Sequence, residues 1–173
     1  MRHGGTDSNK KKLIQGQTGE SLNYKGILQT KKAVKKLKEY KISLIISSDL
    51  NRAKETSKII SERLGLLIKY FKLLREKDNG SFTGKPSRSI KWKKIKGLYQ
   101  ERKAPNGESL YEVLMRSRKF MNILKRRYEK ERVLVVSHGT ILKLMKGYLE
   151  SKDIKSSIER IKIKNAEVYK LKC

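Results

Sequence analysis

Two histidines are present in the chain, and each stands in a short motif with chemical potential. His3 lies in "RHG" and His138 in "SHG". A neutral imidazole, with a reference pKa of about 6.5, is a competent nucleophile or proton carrier at physiological pH. Gly4 and Gly139 follow the two histidines, and a residue without Cβ lets backbone amides crowd a ligand. Arg2 adjoins His3, and Arg52 lies in "SSDLNRA". Two guanidinium forks can grip one phosphoryl group in bidentate fashion and keep their charge when partly buried. Taken singly, a histidine is most often a hydrogen-bonded structural residue and an arginine most often an exposed one. Their positions along the chain argue otherwise.

His138 directly follows "RVLVVS" (132–137), a β-branched run of the kind buried on both faces of a sheet. It precedes "TILKLMKGYLES" (140–151), which has helical periodicity, so an anion there would meet a helix N-terminus. Arg52 comes four residues after a similar run, "ISLIISS" (42–48), at the start of a helix. In that helix Ala53, Thr56, Ile60 and Leu64 face inward and Gly65 is a stop signal. Before it, a helix with Asn23 as N-cap places Ile27, Val34 and Leu37 on one face. A weaker strand is expected over 66–74, a loop over 75–89 and a short basic helix around Ile90–Leu98. The longest apolar stripe starts near Glu108 and runs through Leu110, Val113, Leu114, Ser117, Met121, Leu124 and Tyr128. Alternation at Ile161, Ile163 and Val168 predicts two short strands meeting near Asn165. Helices and strands in this order give an α/β protein with a largely parallel central sheet. Ligands of such sheets bind at the carboxyl ends of the strands, where both motifs fall.

"RHGGT…N", "SSDLNRAKET", "LREKDNGSFTGK", "PNGESL" and "VLVVSHGTIL" occur in that order over nearly the whole chain. This ordered set resembles the histidine phosphatase superfamily, also called the phosphoglycerate mutase-like family. The resemblance implies one domain over 1–173, a three-layer sandwich with a mostly parallel sheet flanked by helices. It implies that His3 is the nucleophile and forms a phosphohistidine. Arg2, Arg52 and His138 then bind the phosphate, Glu76 is the proton donor, and Asn9 helps line the pocket. Gly4 and Gly139 occupy the family's glycine positions after the two histidines. Glu108 is expected to complement the dipole of the helix it starts. No metal or other cofactor is implied. Phosphomonoester hydrolysis is favoured by the short chain and the loop "KDNGSFTGKP", with a phosphoglycerate mutase as the alternative. Gly5 and Thr140 depart from residues common in the family, which points to altered substrate preference. In the family an apolar strand runs straight into Arg-His-Gly, whereas Met1 alone stands before Arg2 here. The expectation is therefore a chain that lacks this strand, with a gap in the sheet, a mobile His3 and a natural reading frame that starts upstream.

Charge adds little about fold and something about ligands. Lys and Arg number 44 against 17 Asp and Glu, a formal net charge of +27. Such a balance draws anions of every kind. It also permits non-specific nucleic-acid contact, and a non-catalytic basic module is the alternative from another class. No zinc-finger spacing or RNA-binding signature supports that alternative. The single cysteine, Cys173, allows no intrachain disulfide. With no segment of about 18 apolar residues and no signal-peptide pattern, the expectation is a cytoplasmic protein without a membrane partner. A small phosphorylated substrate and a monomer or homodimer complete the expectations.

Overall fold

A computed structural model describes residues 1–171. The run "LIIS" forms strand β1 (Leu44–Ser47), buried along its whole length. Strands β2 (Ile68–Tyr70) and β3 (Val133–Val136) pair with it in parallel on either side. Ile45 stands opposite Ile68 on one flank and opposite Leu134 on the other. The β-branched side chains leave both faces of β1 apolar, so both must be covered.

One face is covered by α2 (Tyr24–Leu37) and α3 (Asn51–Leu64), through Val34, Leu37, Ala53 and Ile60 packed on Ile45 and Val136. The other is covered by α4 (Leu110–Arg127) and α5 (Gly139–Leu149), through Val113, Phe120, Met121, Ile141 and Leu144 around Ile46, with α6 (Ile154–Arg160) packed on α5. These are the three expected layers. Helix boundaries follow their capping residues. Asn23 accepts the Gly26 N–H at the start of α2, Ser109 and Glu112 form a capping box at α4, and Gly65 ends α3 at φ +66.

Four segments differ from expectation. The polar stretch after "RHGG", for which no helix was expected, forms a one-turn helix, α1 (Asp7–Lys11), because Thr6 and Asn9 make a reciprocal capping box. Only Ile68–Tyr70 of 66–74 pairs as strand, and Lys72–Leu74 tightens into a 3-10 turn. The basic helix around Ile90–Leu98 is reduced to one 3-10 turn, Trp92–Lys94. Its lysines supply no apolar stripe to bury, so nothing outweighs nucleation cost. Further on, Asp153 caps α6, for which no helix was expected, and residues 161–171, where two short strands were expected, form no ladder. Ile161 and Ile163 are buried all the same. Alternation there records an extended segment lying on the core, not a paired strand. Cys173 lies outside the described residues.

Met1–His3 run beside β3. The Ser137 N–H donates to Met1 O at 3.0 Å, and the His3 N–H donates to Ser137 O at 2.9 Å. The Met1 amino group donates to Val135 O, and the Met1 side chain is buried against Val136 and Ala166. His3 is therefore tied to the sheet through its own backbone rather than mobile.

Candidate active site

The two histidines sit at the ends of neighbouring strand segments, with ring centroids 5.1 Å apart. His3 Nδ1 lies 2.6 Å from Gly4 O. A carbonyl can only accept, so Nδ1 carries the proton and Nε2 keeps its lone pair. The loop behind is held at several points. Gly4 N–H donates to Thr56 Oγ1, and Asn165 Nδ2 donates to His3 O at 3.0 Å and to Asn9 Oδ1 at 3.1 Å. A Cβ on Gly26 of α2 would stand 2.0 Å from Gly5 O, so the helix can press against this loop only because it has glycine there.

His138 precedes α5 and is fully buried. Its Nε2 is 2.9 Å from Ser48 Oγ. Ser48 Oγ accepts the Leu50 N–H and has its own proton to donate to His138 Nε2. With Ser48 as the donor, a neutral His138 ring presents Nδ1–H, and Nδ1 has no partner among the described residues. Arg52 is 0% exposed; its two terminal nitrogens donate to Thr18 O and Gly16 O. Arg2 donates to Ile163 O.

Four buried side-chain polar atoms lack a partner among the described residues, and three of them belong to this cluster: Arg2 Nε, Arg52 Nε and His138 Nδ1. Buried donors left unpaired are costly, and three around one histidine make a place for an anion. The N-terminus of α5 adds backbone N–H groups. Burial pushes the pKa of both histidines well below the usual value. The Arg2 and Arg52 charges lower His3 further; His3, Arg52, Arg2 and Arg116 do the same to His138. Both rings are neutral at pH 7.

Glu76 completes the arrangement. Its carboxylate accepts the Lys77 N–H at 2.8 Å and the Thr140 N–H at 3.2 Å, which brings it to the start of α5. Arg2, His3, Asn9, Glu76 and Gly139 line one cleft of about 1050 Å³, and Trp92 and Tyr99 form part of its wall. Arg52, His138 and Gly4 are buried next to that lining. All eight residues expected from the sequence thus gather at one place.

Sequence reasoning missed the group that holds Glu76. Arg116 of α4 donates to Leu73 O, Arg75 O and Glu76 O, and makes a two-pronged ion pair with Glu108. Glu108 also accepts the Asp78 N–H. It therefore anchors the Glu76 segment and does not serve mainly as a dipole-matching acid. Ser48, at the end of the β1 run, orients His138 and was missed as well. The eight-residue spacing from Glu108 to Arg116, two turns and a little more, was the available signal.

An α/β sheet whose strand ends carry two neutral histidines, two arginines and an acid defines a phosphate-handling protein. The sequence of residues 1–173 matches the histidine phosphatase superfamily (branch 1), and the chain belongs to that family. It is 32% identical over 142 residues to the "Uncharacterized phosphatase PhoE" of Bacillus subtilis strain 168, covering 82% of this chain and 71% of that protein. It is 33% identical over 149 residues to the "Probable phosphoglycerate mutase GpmB" of Salmonella arizonae, covering 82% and 69%. Among solved structures, a mycobacterial glucosyl-3-phosphoglycerate phosphatase in complex with VO3 superposes with a TM-score of 0.82 at 27% identity, covering 95% of this chain and 85% of the other. The α-ribazole phosphatase of Shigella flexneri has the same fold, with a TM-score of 0.84 at 22% identity, covering 96% and 85%. Among the described residues no helix is long and apolar enough to cross a membrane.

Proposed function

We propose that this protein hydrolyses phosphomonoesters through a phosphohistidine on His3. The observation that carries the reading is the set of partnerless buried atoms, Arg2 Nε, Arg52 Nε and His138 Nδ1, beside a histidine whose proton is held on Nδ1. In the first step the His3 Nε2 lone pair forms a bond to phosphorus while the bond from phosphorus to the ester oxygen breaks. Glu76 delivers a proton to that oxygen, which leaves as an alcohol. Arg2, Arg52 and the His138 Nδ1–H receive the phosphoryl oxygens, so positive charge is in place before negative charge shifts. In the second step water attacks phosphorus, its proton passes to Glu76, and the bond to Nε2 breaks to give inorganic phosphate.

p-Nitrophenyl phosphate tests this directly. Wild-type protein is expected to release p-nitrophenol and to carry an acid-labile, base-stable phosphoryl group on rapid quenching. His3→Ala is expected to lose both. No turnover by the wild type, together with nucleic-acid affinity that falls steeply with salt, makes the non-catalytic basic module the better reading.

A further inference from the structure

Residues 163–166 are remote in sequence from the nucleophile, yet they bond to Arg2, His3, Gly4 and Asn9. Ile163 O accepts an Arg2 side-chain N–H, and the Ala166 N–H donates to Arg2 O at 3.1 Å and His3 O at 3.2 Å. Between them, Asn165 Nδ2 donates to His3 O at 3.0 Å, Gly4 O at 3.3 Å and Asn9 Oδ1 at 3.1 Å. The turn is anchored in both halves of the core, Ile163 in the cluster around Ile46 and Ala166 in the cluster around Ile45. Ala166 stands at φ +55, a conformation that alanine keeps only where its surroundings impose it. Asn165 itself is not part of the cleft wall, so whatever it does for a ligand it does through the residues it holds.

These contacts decide which way round the Asn9 amide sits. Carbonyl oxygens only accept, so His3 O and Gly4 O require Asn165 to turn its NH2 toward them. The same NH2 faces Asn9, which must answer with its oxygen. The Thr6 N–H reaches that Oδ1 as well, at 3.3 Å, so a reversed Asn9 amide would set donor against donor twice. Asn9 Oδ1 is thereby committed to two protein donors, and Asn9 Nδ2 has no partner among the described residues. Asn9 lines the same cleft as Arg2 and His3, where an anion can take that NH2.

We propose that Asn165 is a positioning residue: it orients the Asn9 amide so that Asn9 Nδ2 donates to a phosphoryl oxygen held beside His3. The inference rests on the phosphomonoester reading for its ligand, and it is tested by the binding of inorganic phosphate, without turnover. Calorimetric titrations of the wild type, Asn9→Ala, Asn165→Ala and the double variant form a cycle. Asn9→Ala is expected to weaken phosphate binding about tenfold, as for the loss of one hydrogen bond to a charged group. Asn165→Ala is expected to weaken it about threefold or more, although it touches no phosphate. The double variant is expected to bind within about twofold of Asn9→Ala, because Asn165 then has nothing left to orient. The Asn9 side-chain amide resonance, identified by its loss in Asn9→Ala, supplies a readout that a merely structural turn does not move. It is expected to shift at saturating phosphate in the wild type and not in Asn165→Ala. A wild type that takes up no phosphate, single effects that multiply in the double variant, or the same amide shift in both proteins overturns the role of Asn165. Thermal melts establish that each variant is folded, with the similarly shaped Asn165→Leu as the replacement if Asn165→Ala is not. Multiplying effects in a protein that turns over p-nitrophenyl phosphate defeat the positioning role alone. A coupled cycle without that turnover defeats the hydrolase reading alone.

Discussion

Replacing Arg116 by alanine strips five hydrogen bonds from the segment that carries Glu76. Three end on the carbonyls of Leu73, Arg75 and Glu76, and two on the Glu108 carboxylate. Buried bonds to charged groups contribute about 1.5–3 kcal/mol each, but the five share one side chain and are not additive. The Arg116 side chain is 15% exposed and that of Glu108 24%, so water replaces part of what is lost. Glu108 also keeps the Asp78 N–H. A loss of roughly 3 kcal/mol follows, which for a domain of this size lowers the melting temperature by about 6–12 °C. The catalytic effect is selective. p-Nitrophenol leaves readily without a proton donor, whereas an alkyl alcohol does not. Arg116→Ala is therefore expected to reduce kcat on an alkyl phosphate by about a hundredfold, the usual cost of misplacing a reacting group by an ångström, and to spare p-nitrophenyl phosphate by comparison. Differential scanning fluorimetry and paired steady-state assays read both effects. An equal loss on the two substrates, or a melting temperature within about 2 °C of the wild type, refutes the claim that Arg116 holds the acid in place.

Glu76→Gln is expected to show the same selectivity in stronger form, with about 10²–10⁴-fold loss on alkyl phosphates; a uniform loss on both esters counts against a proton-donor role. Arg52→Lys keeps the charge but loses the fork that spans Gly16 O and Thr18 O; turnover should fall about a hundredfold, and retention of wild-type kcat/KM would remove Arg52 from the phosphate site. Gly26→Ala forces a methyl group against Gly5 O and should destabilise by about 3 kcal/mol, visible as a lower urea midpoint; an unchanged midpoint means the loop yields freely. Both histidines have depressed folded-state pKa values, through burial and then the facing arginines. Below about pH 6.5 the unfolded chain binds the extra protons, so stability from these groups is complete above that pH and falls as acid is added, by up to about 2.7 kcal/mol per pH unit for two histidines. Urea titrations at pH 5 and pH 7 with equal midpoints would contradict the burial of the pair.

The site was legible where its residues are rare. Two histidines, each before a glycine and one directly after an apolar run, leave few arrangements, and Arg52 is found by its distance from β1. Arg116 carries no such mark, because basic residues occur in almost every segment and only burial separates it from the rest. Layers and central strands were legible from apolar runs. The end of the chain was not: alternation at Ile161 and Ile163 is equally compatible with a ladder and with an extended segment lying on the core. Burial of both side chains is satisfied either way. α6 was hidden by its brevity, seven residues whose start depends on the Asp153 cap.

The contact of Asn165 with His3, Gly4 and Asn9 spans nearly the whole chain. Ser137, also far along the chain, supplies the strand partner of Met1 and His3. During synthesis the segment around His3 must therefore wait until Ser137 and Asn165 have left the ribosome. Folding of the nucleophile loop is a late, long-range event, slow in the way that topologies rich in distant pairings are slow. A nascent chain of a hundred residues holds "RHGG" and both arginines yet has no ordered anion site. The ordered loop around His3 thus forms only after Asn165 has been made, so a translation product interrupted before it lacks the anion site rather than holding part of one.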